Sequence, residues 1–211
     1  MKPFTVLDAK AAPLMQQNVN TDIIIPIHRL RDIPQDKLGA YAFEPWRYLP
    51  DGSDNPEFFL NKPAFKGAEI VVADNNFACG SSREGAVWAM TGMGVRAVIA
   101  PSFGPIFFNN CCQNGVLPIE LPRAEVLAIA DELEAATRPG SNSEPRLAID
   151  LHERTVTTPS GRRISFHVDG IRRDALLKGL NEVALTLTRE AEIAAHQAKA
   201  RAATPWLYPA S

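Results

Sequence analysis

Between residues 69 and 121 the chain alternates short apolar runs with helical stretches, and this alternation limits the possible fold more than any other feature of its 211 residues. Glu69-Ile70-Val71-Val72-Ala73, Ala97-Val98-Ile99-Ala100 and Val116-Leu117-Pro118-Ile119-Glu120-Leu121 read as strands: they are apolar, β-branched and too short for helices. Helices are expected between them. One runs from about 83 to 92, where Ala86, Val87, Ala89, Met90 and Met93 form an amphipathic pattern, and a shorter one lies near 104–113. A βαβαβ order implies a parallel sheet with right-handed crossovers. Ligands of such sheets collect beyond the carboxyl ends of the strands, where the turns at 79–84 and 100–103 both fall. These two loops are therefore expected on one rim.

Outside this centre the pattern is more varied. Residues 19–25, Val19 to Ile25, read as a β-branched strand stopped by Pro26. From 28 to 65, repeated prolines, Gly39, Gly52 and the cluster Pro50-Asp51-Gly52-Ser53-Asp54-Asn55-Pro56 predict extended loops with short helical turns. Loops of that length usually carry function or meet a partner. A helix is expected over 124–136. Strands follow at 147–151, 155–157 and 163–168, with Pro159-Ser160-Gly161-Arg162 as the turn between the last two. Helices near 173–179 and 189–202 close the chain. Its length and 45% hydrophobic content suit one sizeable core, so 1–211 is read as a single domain.

Charge and cysteine usage exclude several functions. A formal net charge of −2, with both signs intermixed, leaves no basic footprint for nucleic acid and no polybasic anchor for a membrane. No segment approaches the roughly 20 apolar residues that span a bilayer. The three cysteines, Cys79, Cys111 and Cys112, make no disulfide framework, since the adjacent pair closes only through a strained ring. A soluble protein of the reducing cytoplasm is expected.

Chemistry concentrates at Cys79-Gly80-Ser81-Ser82-Arg83-Glu84, where two hydroxyls and a guanidinium sit between a strand and a helix. Unpaired backbone N–H groups and the positive end of the helix dipole meet at such a turn. A small carboxylated molecule is the natural guest. The competing reading is ordinary capping, with Ser81 or Ser82 as N-cap and Glu84 in the first turn. Cys79 has no histidine near it in sequence and is read as packing. His28, His152, His167 and His196 lack metal-ligand spacing, and Phe107, Phe108 and Trp88 are read as core or as contacts between subunits.

Taken in order, Asn18-Val19-Asn20-Thr21-Asp22-Ile23-Ile24-Ile25-Pro26, Phe77-Ala78-Cys79-Gly80-Ser81-Ser82-Arg83-Glu84 and Ala100-Pro101-Ser102-Phe103 resemble the small-subunit family of 3-isopropylmalate dehydratase. That family is the separate-chain version of the swivelling domain of aconitase. Phe43 to Tyr48, Asn109 to Gln113 and Asp169-Gly170-Ile171-Arg172-Arg173 through Leu180 extend the resemblance over most of the chain. It implies an α/β fold: a swivelling β/β/α domain around a parallel βαβαβ core. It also implies a hydro-lyase of leucine biosynthesis that interconverts 2- and 3-isopropylmalate through an unsaturated diacid and is active only with a large subunit. A [4Fe–4S] cluster, held by three cysteines of that large partner, binds the leaving hydroxyl, and this chain binds none.

By the same resemblance Ser81 is the base, activated by amide dipoles, the helix dipole and a nearby cation. Arg83 pairs with a substrate carboxylate through its planar fork, and Ser82 serves the same group. Asp22 holds a cation or the serine turn, against a plain Asx-type turn, while Thr21 supports its loop. Typical members carry basic residues and then Thr-Gly-Phe after the Asp22 segment. Here Asp32 and Gln35 stand at usually basic positions, so Arg29, Arg31 or Lys37 is expected to supply the charge, or the guest differs. Asn20 replaces a usual Asp, and Gly85 replaces the usual His. Related alkylmalates of the citramalate or dimethylmalate type therefore remain alternatives, as does a non-catalytic binding module.

Overall fold

The computed structural model describes residues 1–80, 83–141 and 143–207. In chain order its elements are β1 (Val6–Leu14), α1 (Thr21–Ile24), α2 (Ile27–Asp32), a 3₁₀ segment (Gln35–Tyr41), α3 (Glu44–Arg47), β2 (Ile70–Ala73), α4 (Glu84–Gly92), β3 (Ala97–Ala100), α5 (Pro105–Asn114) and β4 (Leu117–Glu120). There follow α6 (Arg123–Ala136), β5 (Arg146–Asp150), β6 (Thr155–Thr157), β7 (Arg163–Ser165), α7 (Gly170–Lys178), α8 (Glu182–Leu187) and α9 (Glu190–Ala203). The strands form one seven-stranded sheet in the order β4-β3-β2-β1-β5-β6-β7. Its first four strands are parallel, as the alternation between 69 and 121 requires, and the rest are antiparallel.

β1 joins the two halves. Val6 to Lys10 pair antiparallel with β5, and Ala11 to Leu14 pair parallel with β2. Pro13 falls beyond the last β5 partner, where only one side of the strand is paired by another strand, so its missing N–H leaves no gap in a central ladder. β1 was not expected from the sequence. Its run Val-Leu-Asp-Ala-Lys-Ala-Ala-Pro-Leu is dominated by poor strand formers, and only burial between two neighbours makes it a strand.

Strict alternation along the parallel strands divides the interior into two layers. Val71, Ala73, Val98 and Ala100 face a cluster with α4, α5 and the phenylalanines of 43–65, while Ile70, Val72, Ala97 and Ile99 face α6 and the antiparallel strands. The second layer rests on Val126, Ile129 and Leu133 of α6, one helical stripe. The first receives Phe43, Phe58, Phe59 and Phe65. The irregular stretch therefore contributes to the core while keeping the short helical turns expected of it.

Two readings are corrected. The predicted strand at 19–25 is instead the one-turn helix α1: the Asn20 side-chain oxygen accepts from the Ile23 N–H at 2.9 Å, and Asp22 occupies the first turn. A good N-cap outweighed the β-branched run. Only Asn20 keeps a strand-like contact, an isolated bridge to Cys79. The second correction is α8, which was not anticipated and is capped by Asn181, whose side chain accepts from the Ala184 N–H at 2.8 Å. Among the described residues, no helix is long and apolar enough to cross a membrane.

Candidate active site

The loops leaving β1, β2 and β3 are stitched into one rim. Phe77 forms a parallel bridge with Phe103, donating its N–H to the Ser102 carbonyl at 3.0 Å, and the Gly104 N–H donates to the Phe77 carbonyl at 2.9 Å. Cys79 donates its N–H to the Val19 carbonyl at 3.2 Å and accepts from the Thr21 N–H at 3.0 Å. Side chains finish the seam: Asn76 donates its amide to Asn18 at 2.8 Å, and the Ser102 hydroxyl accepts the Asn76 N–H at 2.9 Å. The loops at 77–80 and 100–103 thus share an edge, as the strand order demands.

Backbone conformation marks the same place. Asn18, Asn76 and Ala78 all adopt the left-handed region, with φ of 57°, 59° and 56°, and Gly80 follows at 88°. Asparagine tolerates this region, but alanine does not readily. Ala78 is held there by full burial and by Gly104, where an added Cβ would lie 2.4 Å from the Ala78 carbonyl oxygen. The turn entering the serines is therefore shaped from both sides by close packing.

Arg83 is the N-cap residue of α4. The Arg83 side chain makes no capping hydrogen bond to the helix. Its guanidinium Nη1 donates to Asp22 Oδ1 at 2.5 Å, with the Arg83 side chain 21% and the Asp22 side chain 51% exposed. Glu84 turns away from the rim and accepts from the Asn114 amide at 2.9 Å, while the same amide's oxygen accepts from the Trp88 indole. These contacts tie the start of α4 to the end of α5. Thr21 is fully buried, and its hydroxyl has no partner among the described residues.

Ser81 and Ser82 lie outside the described residues. Arg29 is engaged by Glu44 through two hydrogen bonds of 2.9 and 2.5 Å and lies over the Tyr41 ring at 4.3 Å. Hydrogen bonding from Arg29 holds the Glu44 carboxyl below its usual range. Arg31 pairs with its neighbour Asp32 at 2.6 and 3.0 Å and is 80% exposed. Both basic residues are thus matched within their own loop. A groove between α7, α8 and α9, lined by Ile171, Leu185, Ile193 and His196, contains none of the site residues.

One further pair was not read from the sequence. Asp74, at the end of β2, is buried and receives both Nε and Nη2 of Arg123 at 2.8 Å, together with the Asn75 N–H at 2.8 Å. The Arg123 hydrogen bonds lower its pKa to about 2. Nothing in the spacing of 74 and 123 signals this contact; it follows from the start of α6 reaching the β2 end.

For an iron–sulfur cluster, the described side chains are a poor fit. No three His, Cys, Asp or Glu residues among them gather as ligands. Burial pushes the Cys111 thiol well up and the Cys112 thiol to about 11, whereas a ligating sulfur must be a thiolate.

Comparison with known proteins agrees with this architecture. The sequence model of the aconitase C-terminal domain matches residues 1–124, that described as LeuD_N matches 132–170, and that of the C-terminal domain of the 3-isopropylmalate dehydratase small subunit matches 182–210. The chain belongs to the 3-isopropylmalate dehydratase small-subunit family. Relatives carrying that name include one from Paramagnetospirillum magneticum, 48% identical over 98% of this chain and 100% of its own. Another, from Neisseria meningitidis, is 46% identical over 99% of both chains. The crystal structure of the 3-isopropylmalate dehydratase protein of Methanocaldococcus jannaschii superposes with a TM-score of 0.62, at 26% identity, over 90% of this chain and 99% of that one. Membership of a small-subunit family implies a large-subunit partner.

Proposed function

We propose that this chain, acting over 1–211 as one folding unit, is the small subunit of a 3-isopropylmalate dehydratase, the leucine-biosynthesis hydro-lyase that interconverts 2- and 3-isopropylmalate. The observation that carries the reading is Arg83. It stands at the N-terminus of α4, beside the serine turn, with one nitrogen on Asp22 and, among the described residues, the rest of its planar fork free to meet a carboxylate. Asp22 fixes the guanidinium in place. Its half-exposed carboxylate is a partner that a substrate carboxylate can displace or share.

In this reading Ser81 takes the proton from the carbon beside a carboxylate and delivers a proton to the neighbouring carbon on rehydration. A serine alkoxide is too basic to persist unaided. Amide N–H groups, the α4 dipole and the Arg83 charge are the stabilisers that the sequence sets around it. Ser82 offers a hydroxyl or N–H to the same substrate carboxylate, and Thr21 supports the Asp22 loop. The [4Fe–4S] cluster is assigned to the large subunit, since the described residues here offer no ligand set for it. The open rim suits a site completed by another protein, and the free buried thiols suit the cytoplasm.

A second reading concerns the substrate. Arg29 and Arg31, expected to recognise it, are balanced by Glu44 and Asp32, so these two guanidiniums bring little uncompensated charge to the guest. That favours keeping smaller alkylmalates of the citramalate or dimethylmalate type in the test. The experiment is turnover of each alkylmalate by the cluster-loaded complex, followed as unsaturated-diacid absorbance. Ser81→Ala is expected to lower kcat by about 10²- to 10⁴-fold. Wild-type turnover in that variant would remove the serine from the role of base, and no turnover of any alkylmalate by the native complex would favour a binding module.

A further inference from the structure

Gly85 is buried in the first turn of α4, two residues after Arg83. A glycine inside a helix costs about 0.5–1 kcal/mol relative to alanine, and at Gly85, whose φ is negative, no left-handed backbone requires it. Space explains its presence. A Cβ added at Gly85 would lie 2.3 and 2.8 Å from the two Leu30 methyls and 3.1 Å from Leu30 Cγ, so the whole end of that side chain occupies the place of the missing one.

Two helical turns further along the same face, α4 makes a second close contact. A Cβ on Gly39 would lie 2.2 Å from the Gly92 carbonyl carbon, and one on Gly92 would lie 2.8 Å from the Gly39 nitrogen. The stretch 27–41 is therefore seated on α4 at two glycines, and the two contacts differ in kind. At Gly92 backbone meets backbone, with no rotamer by which to escape. At Gly85 a flexible side chain fills a socket, and it can be expelled.

The socket matters because α2 has little else to hold it. None of its residues is buried, and Ile27 is 60% exposed. Leu30 is the one α2 residue packed against the core, joined by the polar contact of Arg29 with Glu44. We propose that Gly85 is a positioning residue: by leaving room for Leu30, it seats α2 on the first turn of α4 and so sets where Arg83, two residues earlier, stands. Its link to substrate rests on the assignment of Arg83 to the substrate carboxylate.

The test separates the packing claim from the catalytic one. Hydrogen exchange of the isolated chain is measured first, at the Arg29 and Ile33 amides, which donate to the Pro26 and Arg29 carbonyls at 3.0 Å. In Gly85→Ala these amides should exchange about tenfold faster while those of β2 and β3 are unchanged, because the gain in helix propensity keeps the fold intact. Unchanged exchange at α2 would overturn the proposal whatever the enzyme does. In the complex, KM for the alkylmalate should rise about 5- to 20-fold in both Gly85→Ala and Leu30→Ala, with kcat moving less. The two effects should not multiply: the double variant is expected within about twofold of Leu30→Ala alone, since an alanine at 85 no longer has anything to displace. Multiplicative effects, or a KM that stays constant while α2 loosens, would refute the positioning role. If the native complex turns over no alkylmalate, the functional reading fails while the exchange result still decides whether Gly85 seats α2.

Discussion

Two arginine–aspartate pairs lie near the carboxyl ends of the parallel strands, and they differ in what surrounds them. Arg123 grips Asp74 with two nitrogens, the Asp74 side chain is 4% exposed, and a backbone N–H completes its shell. Arg83 touches Asp22 through one nitrogen, and that carboxylate is half exposed. In the first pair the carboxylate is closed off, held on two Arg123 nitrogens, although the Arg123 side chain itself is 45% exposed. Among the described residues the second has donor capacity to spare, at a helix N-terminus, on a rim. The residue types are the same, so it is the geometry around them that sets the contact read as structural apart from the one proposed to bind substrate.

The largest expected effect that would break this contrast is at Arg83. Arg83→Lys keeps the charge but loses the planar fork, and kcat/KM of the complex should fall about 30- to 100-fold with the urea midpoint of the chain unchanged. An equal loss of stability would make the Asp22 pair structural after all.

Asp74→Asn should do the opposite, leaving KM alone and lowering stability. The Asp74 pKa is depressed from an ordinary value near 4 to about 2, so its contribution, on the order of 2 kcal/mol, is fully present above about pH 5 and is lost as pH falls through 4 toward 2. Urea unfolding of native and variant chains between pH 6 and 3 checks this. The gap between them should narrow as the pH drops, and a constant gap would mean that Asp74 acts through shape and not through its charge.

The smallest effect is expected at Arg31. It is exposed and already paired with Asp32, so Arg31→Ala should change kcat/KM by less than about threefold. A larger loss would show that it leaves Asp32 for the substrate and would extend the binding contrast to α2.

How much of this was legible beforehand varied with the source of the signal. The strands at 70–73, 97–100 and 117–120 and the helices between them declared themselves by period and length, and their parallel pairing followed from connectivity. Arg83 was visible because its neighbours, a glycine and two serines, sit at a strand-to-helix junction. β1 was not legible, since alanine, lysine and aspartate become strand only when two neighbouring strands are present to pair with them. The strand expected at 19–25 failed because a local cap, Asn20, competed with β-branched propensity and won. The closed pair was invisible too, because Asp74 and Arg123 are 49 residues apart.

The sequence by itself determined the parallel centre and the start of α4 after β2, because hydrophobic period and punctuation are local properties. Tertiary structure alone decided which paired aspartate is open and which is sealed, and which glycine serves as a socket. Those depend on what arrives from distant parts of the chain: α6 against the end of β2, and Leu30 against Gly85.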